Sequence, residues 1–242
     1  MPRPLFRWLK TRLRGPEETP GVGEVDLGDL RRVTPISSRW GYERGRPVDR
    51  YYIERFLSDR SEDIQGRVLE IADNAYTVKY GGERVTTSEV LHAEEGNPSA
   101  TIVGDLAAGD NIPSDAFECI ILTQTLLLIY DVPAAIRTVH RILKPGGVVL
   151  VTVPGVSHKI TRYDMDRWGD YWRFTSLSIR RLFEEVFPAE NLEVEAHGNV
   201  LTAAAFLYGL GAEEITEEEF AYDDPDFEVS IALRAVKPGR RV

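Results

Sequence analysis

Leu143-Lys-Pro-Gly-Gly147, running straight into Val148-Val-Leu-Val-Thr-Val153, is the stretch whose reading decides the fold. Lys144-Pro145-Gly146-Gly147 is a helix stop, because proline lacks the amide that a helix needs and glycine takes backbone angles other residues avoid. The run from Gly147 to Val153 is almost wholly apolar. It predicts a strand buried on both faces, as in a parallel sheet covered by helices. Just before the stop, Val132, Ala135, Ile136, Val139, Ile142 and Leu143 recur at helical spacing, so a helix covers Val132 to Leu143.

The same alternation continues outward in both directions. Towards the N-terminus, strands are predicted over Phe117 to Leu122, Ala100 to Val103, Arg84 to Val90 and Arg67 to Ala72. Pro47 suits the first turn of a helix whose stripe is Val48, Tyr52, Ile53, Phe56 and Leu57. Towards the C-terminus, Thr175 caps a helix with Ile179, Leu182, Phe183, Val186 and Phe187 on one face. Leu192 to Ala196 and Phe227 to Ala235 are the last two strands. Strands alternating with helices predict an α/β fold with a doubly wound, mostly parallel sheet.

The composition narrows the function. Among 242 residues there is one cysteine, Cys119, so no internal disulfide forms. The four histidines are scattered, and none has zinc-like spacing to another, which argues against a metalloenzyme. The net charge of −10 repels phosphate backbones, so no nucleic-acid partner is expected. Glu213 to Glu228 alone holds nine acids and no bases. No apolar run approaches the ~18 residues of a transmembrane helix and no signal peptide is read, so a cytoplasmic location is the expectation.

Residues 1–14 differ from the rest. Leu5, Trp8, Leu9 and Leu13 share one helical face, and Arg3, Arg7, Lys10 and Arg14 the other. One reading is peripheral contact with an anionic inner membrane face. The other is a tail docked on the protein's own acidic surface, or a frayed terminus. Gly15 to Gly28 reads as a linker, so residues 1–40 form a basic helix and linker arm ahead of a domain over 41–242.

Four pieces in order carry a family resemblance. They are Val68-Leu-Glu-Ile-Ala72, Gly104-Asp105-Leu106, Ile112-Pro-Ser-Asp-Ala-Phe117 and Leu143-Lys-Pro-Gly-Gly147. Their order and spacing resemble the class I S-adenosylmethionine-dependent methyltransferases of the type 11 kind. The resemblance implies a Rossmann-like sheet with an antiparallel C-terminal strand, and S-adenosylmethionine as cofactor. It implies that Glu70 anchors the cofactor end of the site, beside the loop of Ala72, Asp73 and Asn74. It places Glu89 on the ribose hydroxyls, since a carboxylate accepts two hydrogen bonds at once. Asp105 and Leu106 then meet the adenine, and Gln124 lies near the methionine part.

This sequence departs from the family at the glycine loop. Gly-x-Gly-x-Gly is replaced by Ala72, Asn74 and Tyr76, and Thr77 to Gly82 leaves room for about one helical turn at ~3.6 residues each. The family's Leu-Glu-His after strand four is Leu126-Leu127-Leu128. No Gly-x-Gly-x-x-Gly opens a helix after strand one, which argues against a nicotinamide dehydrogenase.

His158 to Thr175 follows strand five and is dense in polar and aromatic groups. Asp170-Tyr-Trp-Arg-Phe-Thr175 resembles methyltransferases of surface-glycan pathways. Tyr163, Trp168, Tyr171, Trp172 and Arg173 are the candidate acceptor-binding residues, and His158, Asp164 and Asp166 the candidate bases. The other reading of this insert is a lid packed on the core. Arg44 to Tyr52 is placed to fold over the cofactor mouth or to cap the sheet. The expected activity is methyl transfer to a small-molecule or glycan-linked acceptor. The alternative is a silent methyltransferase-like partner or scaffold domain.

Overall fold

Residues 19–109 and 111–239 are described by the structure, a computed structural model. The amphipathic segment over 1–14 lies outside them. The chain divides into two units at Thr34/Pro35. In the first, the described residues form a turn closed by the Glu24 N–H on the Gly21 carbonyl and a short helical turn, Gly28–Leu30, and are almost all exposed. The second carries the α/β fold.

Strand β1 spans Gly66–Ile71, β2 Val85–His92, β3 Ile102–Val103, β4 Phe117–Thr123, β5 Leu143–Pro154, β6 Leu192–His197 and β7 Ser230–Val236. They form one seven-stranded sheet in the order β3-β2-β1-β4-β5-β7-β6. The pairings along β3 to β5 are parallel, and β7 runs antiparallel to both β5 and β6. The sheet is thus Rossmann-like and mostly parallel, and the antiparallel C-terminal strand is present. Its order reverses between β1 and β4, and in an open α/β sheet ligands bind at the carboxyl ends of the strands beside such a switch.

Six helices are described: α1 Val48–Asp59, α2 Val132–Ile142, α3 Arg162–Met165, α4 Ser176–Glu184, α5 Val200–Tyr208 and α6 Glu217–Ala221. Successive strand residues point to opposite faces, and the core divides accordingly. Leu69, Ile120, Leu122, Val149 and Val151 pack with Ile136 and Val139 of α2 and Ile179 and Phe183 of α4. Val68, Cys119, Ile121 and Leu150 pack with Ile53 and Leu57 of α1. Each such side chain, removed from water, contributes about 1.5–3 kcal/mol before conformational entropy is set against it. Gly147 is required where β5 meets β4: a Cβ there would lie 3.0 Å from the Phe117 carbonyl oxygen.

Two helices escape the sequence pattern. Val200-Leu-Thr-Ala-Ala-Ala-Phe-Leu-Tyr208 is apolar nearly all round, so no stripe marks it, yet α5 has a full capping box between Asn199 and Thr202. Helix α6 starts within the acidic run, where Thr216 and Glu219 cap it reciprocally. After β1 there is, as the spacing predicts, only about one helical turn: a π turn, Thr77–Gly81, and a short turn, Gly82–Arg84.

Candidate functional site

Two adjoining cavities open at the carboxyl ends of the strands. The larger is about 580 Å³ and is bordered by the ends of β1, β2, β3 and β4. The smaller is about 190 Å³ and lies between α1, the loop after β5 and the segment at Trp40 and Tyr42. Arg50, Gln124 and Leu128 line both, so they form the junction.

The larger cavity is shaped by the loop after β1. Ala72 stands where the first glycine would, and it adopts the left-handed conformation at φ 71°. That costs a non-glycine residue roughly 1–2 kcal/mol. The conformation is held from both sides. The Ala72 N–H donates to the Leu91 carbonyl at 3.0 Å, and its own carbonyl accepts from Asn97 Nδ2 at 2.7 Å. The altered loop therefore keeps the glycine geometry. Glu70 is buried and braces it, accepting from the Tyr76 N–H at 3.2 Å and from the Thr77 N–H and hydroxyl at 2.7 Å each. Burial pushes the Glu70 carboxyl up, against the pull of these hydrogen bonds. Asp73 holds the Ala75 N–H at 2.9 Å and lines the cavity. Asn74 turns away to Ser88, at 3.1 Å, and supports the loop instead of lining it.

Asp105 and Leu106 line the larger cavity beyond β3, as the resemblance implies. Asp105 Oδ1 accepts from the Ala107 N–H at 2.8 Å, which fixes the carboxylate at the rim. Glu89 lies outside both cavities. Apolar Val90 and Leu91 extend β2 to His92, so Glu89 sits mid-strand opposite Leu69. Its carboxylate accepts from Arg67 Nη2 at 2.8 Å, and the strand end that lines the cavity is His92 and Ala93.

Gln124 closes the inner wall. It has φ 47°, and both ends of its side-chain amide are buried with no hydrogen-bond partner. A buried orphan amide is costly, and here it stands at the junction of two cavities. Trp40, at φ 58°, lines the smaller one. Three of the four described non-glycine residues with positive φ thus border these cavities, the sort of place where backbone strain collects.

The insert after β5 splits between the two cavities. The Tyr171 N–H donates to the Leu127 carbonyl at 2.9 Å, docking the insert onto the turn Leu126–Leu128. Trp168 meets His92 edge-on at 6.1 Å, and Tyr171 meets Tyr130 at 5.4 Å. These four rings rim the larger cavity, so Trp168 and Tyr171 line it and not the smaller one. His158 and Asp164 line the smaller cavity, and Asp166 is exposed outside both. Tyr163 lies outside as well, under Arg167 at 3.6 Å. Trp172 donates from Nε1 to the Ile129 carbonyl at 3.0 Å and braces Tyr130. Arg173 clamps the insert from outside both cavities. It pairs with Asp170 and donates to the carbonyls of His158 and Lys159.

His158 has its Nδ1 against the Lys159 carbonyl at 2.9 Å, which makes that nitrogen the N–H and leaves Nε2 as an acceptor. Burial, aided by the Arg173 charge, pushes its pKa down to about 4. The imidazole is neutral at pH 7.

Helix α1 supplies residues that sequence reasoning assigned only as a covering segment. Arg50 is half-buried and donates to the Tyr76 hydroxyl at 2.6 Å. Burial opposes its charge, but Asp49 and Tyr76 more than offset this and hold it protonated. Asp49 is 8% exposed and lines the smaller cavity. Burial pushes its carboxyl above the ordinary range, against Arg50 and the first-turn amides. A signal for both was present: an acid and a base paired at the start of an apolar helix, after Pro47.

Residues 43–202, about two thirds of the chain, match the methyltransferase domain family. The chain belongs to that family. It is a class I S-adenosylmethionine-dependent methyltransferase in fold and family. Among solved structures it resembles an S-adenosylmethionine-dependent methyltransferase from Archaeoglobus fulgidus, with TM-score 0.52 and 10% identity over 78% of this chain and 94% of that one. It also resembles a candidate sarcosine dimethylglycine methyltransferase from Galdieria sulphuraria, with TM-score 0.51 and 14% identity over 78% of this chain and 86% of that one. At these identities the likeness is one of fold. No curated protein matches. No described helix is long and apolar enough to cross a membrane.

Proposed function

We propose that this methyltransferase holds S-adenosylmethionine in the larger cavity and a small acceptor, or the small end of a glycan-linked one, in the smaller. The observation that carries this reading is the junction. Arg50, Gln124 and Leu128 face both spaces, and the unpartnered Gln124 amide stands where two ligands would meet. The cofactor supplies an activated methyl group on a sulfonium.

The residues fit that cofactor. Asp105 and Leu106 suit an adenine edge, and Trp168 and Tyr171 offer aromatic faces at the rim. In this fold a helix after the first loop normally favours the cofactor's carboxylate through its dipole. That helix is one turn here, and the Arg50 guanidinium stands beside the loop through Tyr76. Arg50 takes over the charge that the missing helix would provide. Leu127 and Leu128 wall the junction with apolar surface, which excludes water from the transfer and supports alignment as the main catalytic contribution.

Calorimetric titration with S-adenosylhomocysteine tests the reading. Micromolar binding to wild type, weakened by Asp105→Ala, is expected, and no heat in either protein would refute it.

A further inference from the structure

The smaller cavity has a definite chemistry. Its polar lining is Asp49, Asp164, Arg50, Gln124 and His158, with Trp40 and Tyr42 on the aromatic side. Arg50 is already engaged by the Tyr76 hydroxyl and faces the larger cavity too. His158 carries no charge at neutral pH. The two carboxylates outnumber the single guanidinium of Arg50 at this end, and one of them, Asp49, is more than nine-tenths buried. Aromatic walls with carboxylates favour an organic cation over an anion.

We propose that the smaller cavity takes the methyl acceptor as a primary or secondary amine, with Asp49 receiving the proton that the nitrogen gives up. This rests on the two-cavity reading above. An amine arrives as its ammonium ion, attracted by Asp49 and Asp164. One proton passes from nitrogen to the Asp49 carboxylate and frees the lone pair. The lone pair forms the N–C bond while the electron pair of the breaking S–C bond goes to sulfur. The product leaves as the methylated ammonium ion, and Asp49 returns its proton to solvent. An alcohol would need a far stronger base. His158 is held at about 4 and does not provide one. Asp49 is the more deeply buried of the two acids, and it neighbours Arg50 at the junction, which makes it the proton acceptor of the pair.

Propylamine, propan-1-ol and propionate are matched probes of this site. Ligand-observed NMR on the full chain without cofactor gives their affinities, and calorimetry with S-adenosylhomocysteine is run separately. Propylamine is expected to bind about tenfold more tightly than propan-1-ol, with propionate weakest. Asp49→Asn should erase that preference, and Asp164→Asn should reduce it. Asp49→Asn keeps the side chain's shape and should remain folded, which its melting curve checks. Equal affinity for amine and alcohol in wild type would overturn the proposal. So would an amine preference that survives Asp49→Asn in a folded protein. A loss of S-adenosylhomocysteine affinity in Asp49→Asn with amine binding intact would overturn it too, and would move Asp49 to the cofactor. Absence of S-adenosylhomocysteine binding to wild type sinks the two-cavity reading instead, whatever the amine result.

Discussion

The two cavities are built from different material. The larger is walled by strand ends, with Ala72, Asp105 and Gln124 held by backbone hydrogen bonds or by strained φ values at the edge of the sheet. The smaller is walled by pieces outside the sheet: Trp40, Tyr42, Asp49, His158 and Asp164 come from the segment before α1, from α1 itself and from the insert after β5. A site made of strand ends inherits its geometry from the sheet and tolerates little change. A site made of appended segments varies without disturbing the fold. Arg50 is the one charged side chain common to both.

Removing that shared charge should have the largest effect. Arg50→Met is expected to weaken S-adenosylhomocysteine about a hundredfold, near 3 kcal/mol, because a desolvated charge-assisted pair is lost. Arg50→Lys should recover part of it. Full affinity in Arg50→Met would show that the two cavities are not coupled through this residue.

The smaller cavity can be addressed alone through His158. Its folded pKa of about 4 lies below the ordinary histidine value, so the unfolded chain binds more protons between the two. Stability should therefore fall as pH drops from about 6.5 towards 4, by about 2 kcal/mol for a residue not wholly buried. Denaturant melts of wild type and His158→Gln across that range check it. The variant should lose this part of the slope, and identical slopes would contradict the burial of the neutral ring.

The larger cavity divides its two acids. Asp105→Ala should cost about tenfold in cofactor affinity, the worth of one hydrogen bond to a neutral group. Glu89→Ala should change affinity by less than about twofold, since an ion pair of this sort carries little energy. Calorimetry on both variants decides whether β2 contributes at Glu89 or at His92. A loss at Glu89 equal to that at Asp105 would restore the ribose assignment.

The smallest effect concerns the loop itself. Ala72→Gly relieves a left-handed alanine but adds freedom to the unfolded chain, so a net gain of about 1 kcal/mol or less is expected. Cofactor affinity should hold or rise. A drop in melting temperature would mean that the Leu91 and Asn97 hydrogen bonds carry no strain.

The same contrast explains what was legible beforehand. Apolar runs marked the central strands β4 and β5, because burial on both faces leaves a continuous signal, and Lys144-Pro145-Gly146-Gly147, read as a helix stop, forms the first part of β5 itself. Glu70, Asp73 and Asp105 line the larger cavity, and they could be placed at the carboxyl ends of strands from sequence because each sits at or just after the end of an apolar run. Glu89 was misplaced because the end of β2 was read two residues short. Helix α5 was missed because apolar residues all round carry no period. Asp49 and Arg50 looked like the polar face of a surface helix, and only tertiary packing turns that face into a cavity wall. The aromatic insert could not be divided by sequence, since Trp168 and Trp172 differ by what they dock against.

Crystallisation of the full chain with S-adenosylhomocysteine tests the central claim most directly. The adenine should lie beside Asp105 and Leu106, the carboxylate at Arg50, and the sulfur towards Gln124 and the smaller cavity. Density for the ligand in the opposite orientation, or outside the larger cavity, would contradict it.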